Sequence, residues 1–78
     1  EVRLEDDTDV EVAVDSARNH LLRGDEVKVT VRRVARDRQP WADAIFETFA
    51  DELADDAEVE RPLARDGPDQ VFFLTPRR

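Results

Sequence analysis

Two hydrophobic periods set side by side constrain this chain more than any other feature. Residues 26–34 read Glu-Val-Lys-Val-Thr-Val-Arg-Arg-Val, so Val27, Val29 and Val31 alternate with Glu26, Lys28 and Thr30. A period of two puts the three valines on one side of a strand. Residues 40–54 keep a different period. Trp41, Ile45, Phe49 and Leu53 recur every four residues, and Ala42, Phe46 and Ala50 widen the stripe. That pattern is one face of a helix, with Pro40 suited to its first position and Asp43 to the positive end of its dipole. A one-sided strand and a one-sided helix are stable only when their apolar sides meet. Burying Trp41, Ile45, Phe46, Phe49 and Leu53 contributes about 1.5–3 kcal/mol each, so this helix is expected to anchor the core.

The flanking segments fill in around that pair. Val10-Glu11-Val12-Ala13-Val14 alternates and is predicted as a half-buried strand. Val2 and Leu4 suggest an earlier extended piece, with Asp6, Asp7, Thr8 and Asp9 as the turn of a hairpin. Residues 15–23 are predicted as a short helix, capped by Asp15 or Ser16 and stopped by Gly24 at its C-terminal end. The alternation slips at Arg33-Val34, where the strand ends or a bulge re-aims the chain. Asp55 and Asp56 lead out of the long helix and sit unfavourably at its negative end. Ala57–Glu60 is predicted as a short strand. Pro62–Asp69 is predicted as a loop broken by Gly67-Pro68. Val71-Phe72-Phe73-Leu74 is apolar on both sides and so belongs in the middle of a sheet or under a helix. Pro76 stops it, and Arg77–Arg78 is expected to fray.

The fold class expected from these elements is α+β. Residues 1–78 form a single two-layer domain, a small mixed β-sheet with helices packed on one face, in the order β-α-β-α-β-β. The last two strands are expected to run antiparallel. A chain of 78 residues buries only about 60% of its unfolded surface, so stability should be modest. The first residue is Glu1 and not Met, which leaves room for a residue or a short segment ahead of it.

Charge narrows the function classes. The chain holds 20 acids against 12 basic residues, for a formal net charge of -8, and a single Lys. The scarcity of Lys beside so many acids suggests adaptation to a salty cytoplasm, since strong screening removes the self-repulsion of an acidic surface. The charge is uneven. Residues 26–38 hold two acids and five bases, whereas residues 39–69 hold ten acids and two arginines. The basic island Arg32, Arg33, Arg36 and Arg38, with Trp41 just beyond it, is the one local clue. Arginines there can meet phosphates, and Trp41 can stack on a base if exposed. The competing reading pairs these arginines with the surplus acids and puts Trp41 in the core.

The element order is similar to that of the Alba family of small archaeal chromatin and RNA-binding proteins. In that family a basic stretch leads into the second helix, where this chain has Arg32-Arg33-Val34-Ala35-Arg36-Asp37-Arg38. The likeness covers element order and no specific motif, and the family is basic where this chain is acidic.

Other chemistry finds little support. There is no cysteine, so neither disulfide nor thiolate chemistry is available. The single His20 is too few imidazoles for an ordinary zinc site. The acid clusters Asp6, Asp7, Asp9 and Asp51, Asp55, Asp56 lack calcium-loop spacing. Ser16 and His20 are four apart beside Asp15, with no oxyanion hole to serve them. Arg23-Gly24-Asp25 matches the cell-adhesion tripeptide by chance. The expectation is therefore no enzyme and no cofactor. A cytoplasmic interaction or regulatory domain should act through self-association or a protein partner, with net charge disfavouring nucleic acid and no membrane role. The alternative is a weak nucleic-acid-binding domain using the arginine island.

Overall fold

The computed structural model describes residues 1–5 and 10–77. The expected turn at Asp6–Asp9 and the end of the tail at Arg78 lie outside the described residues. The elements are β1 (Val2–Leu4), α1 (Val10–Leu22), β2 (Val27–Val31), a 3-10 turn (Arg36–Arg38), α2 (Gln39–Glu52), β3 (Ala57–Asp66) and β4 (Asp69–Pro76). The four strands form one sheet in the order β1-β2-β4-β3. β1 runs parallel to β2, and β4 runs antiparallel to both β2 and β3. The expected class, order and one-sided helix layer all hold.

The core is the layer between sheet and helices. Val2 and Leu4, Val27, Val29 and Val31, and Phe72 and Leu74 are buried from the sheet side. Ala13, Val14, Ala17 and Leu21 of α1 meet them, with Ala42, Ile45 and Phe49 of α2 and Leu53 just past its end. Phe72 is the centre of this layer. Its ring meets Phe46 at 5.0 Å and Phe49 at 5.5 Å, both edge to face. Such pairs add about 0.5–1.5 kcal/mol beyond burial. Trp41 and Phe46 pack against the core but stay only half-buried.

Three segments differ from the sequence reading. Val10–Val14 opens α1 and is not a strand. Its alternation is also compatible with a helix, and the stripe Ala13, Val14, Ala17, Leu21 wins because α1 must cover the sheet. Val12 is left 69% exposed as a result. The strand slot beside β2 goes to Val2–Leu4 instead, in parallel register through Val2 and Val29. Residues from Pro62 onward are not a loop. β3 continues to Asp66, and only Gly67-Pro68 turns the chain. Proline is tolerated because β3 is an edge strand whose register shifts on both sides of Arg61. Arg77 does not fray. Its guanidinium donates to the Ala54 and Ala57 carbonyls and pairs with Glu58 at 3.4 Å.

Two helix ends follow simple rules. Gly24 takes φ +90° after α1, and its N–H donates to the Leu21 carbonyl, as the sequence predicts for a residue past a helix end. The acids after α2 are met by cations. Arg18 donates to the Glu52 carbonyl at 3.4 Å and lies 3.6 Å from Asp56, which offsets the negative charge at that end.

Phe72→Ala should be the most damaging single change tested in the core. A loss of about 3–5 kcal/mol is expected, a large share of the stability of a small domain. Urea unfolding followed by far-UV circular dichroism checks it; a loss below 1 kcal/mol would contradict this account of the core.

Candidate nucleic-acid interface

The basic island becomes a short surface connection clamped onto the β3–β4 turn. β2 ends at Val31, and the Arg32 N–H still donates to the Leu4 carbonyl at 2.8 Å. Arg33 then takes a left-handed conformation, φ 56°. This is the slip in alternation seen in the sequence, resolved as a strand end. The reversal turns Val34 into the core, 2% exposed, and leaves Ala35, Arg36, Asp37 and Arg38 at the surface.

Four ties fix the connection in place. The Arg33 N–H donates to Asp69 Oδ1 at 3.0 Å, and the Val34 N–H donates to the Pro68 carbonyl at 2.9 Å. Arg65 donates to the Val34 carbonyl at 3.0 Å. Gln39, the first residue of α2, exchanges amide hydrogen bonds with the buried Gln70 of β4. A buried amide is costly unless paired, so Gln39 and Gln70 hold each other in register. Sequence reasoning missed Arg65, Gln39 and Gln70, because their partners lie about thirty residues away along the chain.

The candidate residues divide by partner. Arg32 is engaged with Glu5 at 2.7 Å, the pairing that the surplus of acids predicted. The guanidinium groups of Arg33, Arg36 and Arg38 form no ion pair within 4.0 Å with any carboxylate among the described residues. Arg38 stacks on the Trp41 ring at 4.1 Å. The ring is thus roofed by a cation on one side and seated against the core on the other. Its Nε1–H is buried with no acceptor among the described residues. Neither simple expectation for Trp41, open stacking surface or full core residue, describes it.

The remaining candidates stay apart. His20 Nδ1 lies 3.9 Å from the Asp25 carboxylate, away from the arginine connection. Among the described residues no group of three or more His, Cys, Asp or Glu is placed to hold a metal ion, while Asp6, Asp7 and Asp9 lie outside them. No helix among them is long and apolar enough to cross a membrane.

No family model matches the sequence. Curated relatives do, and all those compared carry one name. Over 75 residues, 94% of this chain, it is 36% identical to translation initiation factor IF-3 of Synechococcus sp. strain CC9311, of which it covers 35%. Identity is 35% over 90% of the chain with the IF-3 of Acaryochloris marina, covering 41% of that protein. It is 31% over 94% with that of Synechocystis sp. strain PCC 6803, covering 42%. The chain therefore spans well under half the length of the relatives it matches. It is a small domain related to translation initiation factor IF-3.

This relationship corrects the expectation about partners. Net charge was taken to disfavour nucleic acid and to favour self-association or a protein partner. The relatives are factors of translation, and none points to a salt-adapted interaction domain. The physical reason is that net charge sums a whole chain, whereas an interface responds to the charge arranged on one surface.

Arg38→Ala should uncover Trp41. Acrylamide quenching of the single tryptophan is expected to rise, with stability falling by about 0.5–1 kcal/mol. Unchanged quenching would show that the stack does not shield the ring.

Proposed function

We propose that this domain binds RNA of the translation machinery during initiation, and that Arg33, Arg36 and Arg38 supply its phosphate contacts. The observation that supports this most is 36% identity across 94% of the chain to a protein named translation initiation factor IF-3. The geometry supports it too. Three arginines project from one exposed, well-anchored connection, and rigid anchoring lowers the entropy lost on binding. Guanidinium groups suit phosphate because they donate two parallel hydrogen bonds. Arg32 contributes less, since Glu5 already engages it. Trp41 acts through Arg38, holding that guanidinium over its ring. No cofactor and no catalysis are required, and the place of work is the cytoplasm, where ribosomes are.

Phosphate contacts by these arginines should make such binding salt-sensitive. Each phosphate neutralised on a nucleic acid steepens the log–log salt slope by about 0.7–0.9. The double variant Arg36→Glu/Arg38→Glu is expected to weaken binding of a fluorescent ribosomal-RNA hairpin at least tenfold. Its salt slope should be shallower by about 1.4–1.8. Fluorescence anisotropy at several KCl concentrations measures both. Unchanged affinity in a variant whose circular dichroism matches the parent would remove the connection as the site.

A further inference from the structure

Beside the arginine connection lies a shallow, mostly apolar depression of about 290 Å3, lined by Arg33, Val34, Ala35, Arg65 and Pro68. The connection supplies one wall, through Arg33 and Ala35. The end of β3 and its turn supply the other, through Arg65 and Pro68. The clamp described above joins the two walls: the Val34 N–H donates to the Pro68 carbonyl at 2.9 Å, and Arg65 donates to the carbonyls of Val34 at 3.0 Å and Gly67 at 3.3 Å. Val34 is buried beneath, whereas Ala35 and Pro68 are exposed. Ala35 sits in extended backbone, φ -74° and ψ 164°.

We propose that this depression receives one unpaired nucleobase of the bound RNA, seated over Ala35 and Pro68 with Arg33 and Arg65 at its rim. The inference rests on the RNA reading above and adds which part of the RNA the connection takes in.

Charge, size and shape select the occupant. The lining holds two arginines and no acid. Neither Arg33 nor Arg65 has a carboxylate within 4.0 Å of its guanidinium among the described residues. Arg65 is held by carbonyl oxygens, which orient a guanidinium without cancelling its charge. The neighbouring acids are placed elsewhere. Asp69 accepts the backbone N–H of Arg33 at 3.0 Å, and Asp66 and Asp69 line a different depression with Glu1, Arg3 and Lys28. Asp37 belongs to the 3-10 turn and is not in the lining. An apolar floor under a cationic rim suits a ligand that joins a flat ring to a negative charge, which a nucleotide does. An apolar protein side chain would fill the floor and leave both guanidinium groups without an anion. Guanidinium planes also stack on bases. Ligand pockets run from roughly 300 to 1,000 Å3, so a depression at the bottom of that range takes one base and not a stack of them. The base must be unpaired, because a base inside a duplex is already covered on both faces. With the Val34 N–H and the Val34 and Pro68 carbonyls engaged in the clamp, the floor accepts a base by its shape more than by a hydrogen-bond code.

Anisotropy with a labelled RNA duplex, and with the same duplex carrying one bulged uridine, tests this. The protein is expected to bind the bulged duplex about fivefold more tightly or better, and an abasic site at the bulge should erase the difference. Ala35→Leu fills the depression from an exposed, extended position and keeps every arginine. It should abolish the preference and leave affinity for the paired duplex unchanged. Pro68→Ala removes part of the other wall and keeps the carbonyl that Val34 bonds, so it carries the test if the first variant unfolds. Arg36→Glu/Arg38→Glu should weaken both RNAs. Equal binding of the two duplexes by the parent, a preference that survives both Ala35→Leu and Pro68→Ala, or an equal weakening of both duplexes by Ala35→Leu overturns the base site while the arginine connection still stands. If the parent binds neither RNA, both readings fall.

Discussion

Everything in this domain depends on the strand Val71-Phe72-Phe73-Leu74 lying in the interior of the sheet. Being apolar on both sides, it cannot serve as a solvated edge. Phe72 and Leu74 meet the helices, and Phe72 touches both Phe46 and Phe49 of α2. β2 on one side and β3 on the other then satisfy its backbone. With β4 between them, β2 and β3 run parallel without touching, and α2 provides the crossover. The position of α2 carries the arginine connection with it, because the Gln39–Gln70 pair joins the start of α2 to β4. Core and candidate interface are thus parts of one arrangement.

The acidic surface is managed locally. Arg18 and Arg77 serve the crowded acids after α2, Arg32 serves Glu5, and Arg3 and Lys28 serve Glu1. Exposed pairs of this kind contribute little to stability, about 0–1 kcal/mol each. Their larger effect is to sort the cations. Arg3, Lys28, Arg18, Arg32 and Arg77 are occupied, while Arg33, Arg36 and Arg38 have no carboxylate partner among the described residues. A chain of strongly negative sum therefore still holds arginines outward on the connection.

Much of the fold was legible because it rests on local periods. Val27, Val29 and Val31 marked a strand, the spacing from Trp41 to Leu53 marked α2, and Gly24 marked a helix end. The slip at Arg33-Val34 marked the end of β2. Failures came where a short pattern served two periods or where pairing overrode composition. Val10, Val12 and Val14 read as a strand, yet a short alternating segment also supplies a helix stripe. Pro62 read as a loop, yet an edge strand has a side on which a missing N–H costs nothing. For the candidate site, the arginines themselves could be read from the sequence, as local enrichment. Their supports could not, since Asp69, Gln70 and Arg65 reach the connection from the other end of the chain.

By itself the sequence determined the class of fold, because hydrophobic period and turn residues act within a few positions of one another. It also determined that charge would be uneven, with a basic island in an acidic chain. Only the tertiary structure decided which cations pair and which face outward, because ion pairs form between elements that folding brings together. It decided that Arg38 would roof Trp41. It decided, too, that Phe72 and Phe73, adjacent and chemically identical, would part to opposite faces: one in the core, the other half-buried between Lys28 and Arg61. Alternation requires the two rings to separate, but only the side on which the helices pack determines which of them is buried in the core.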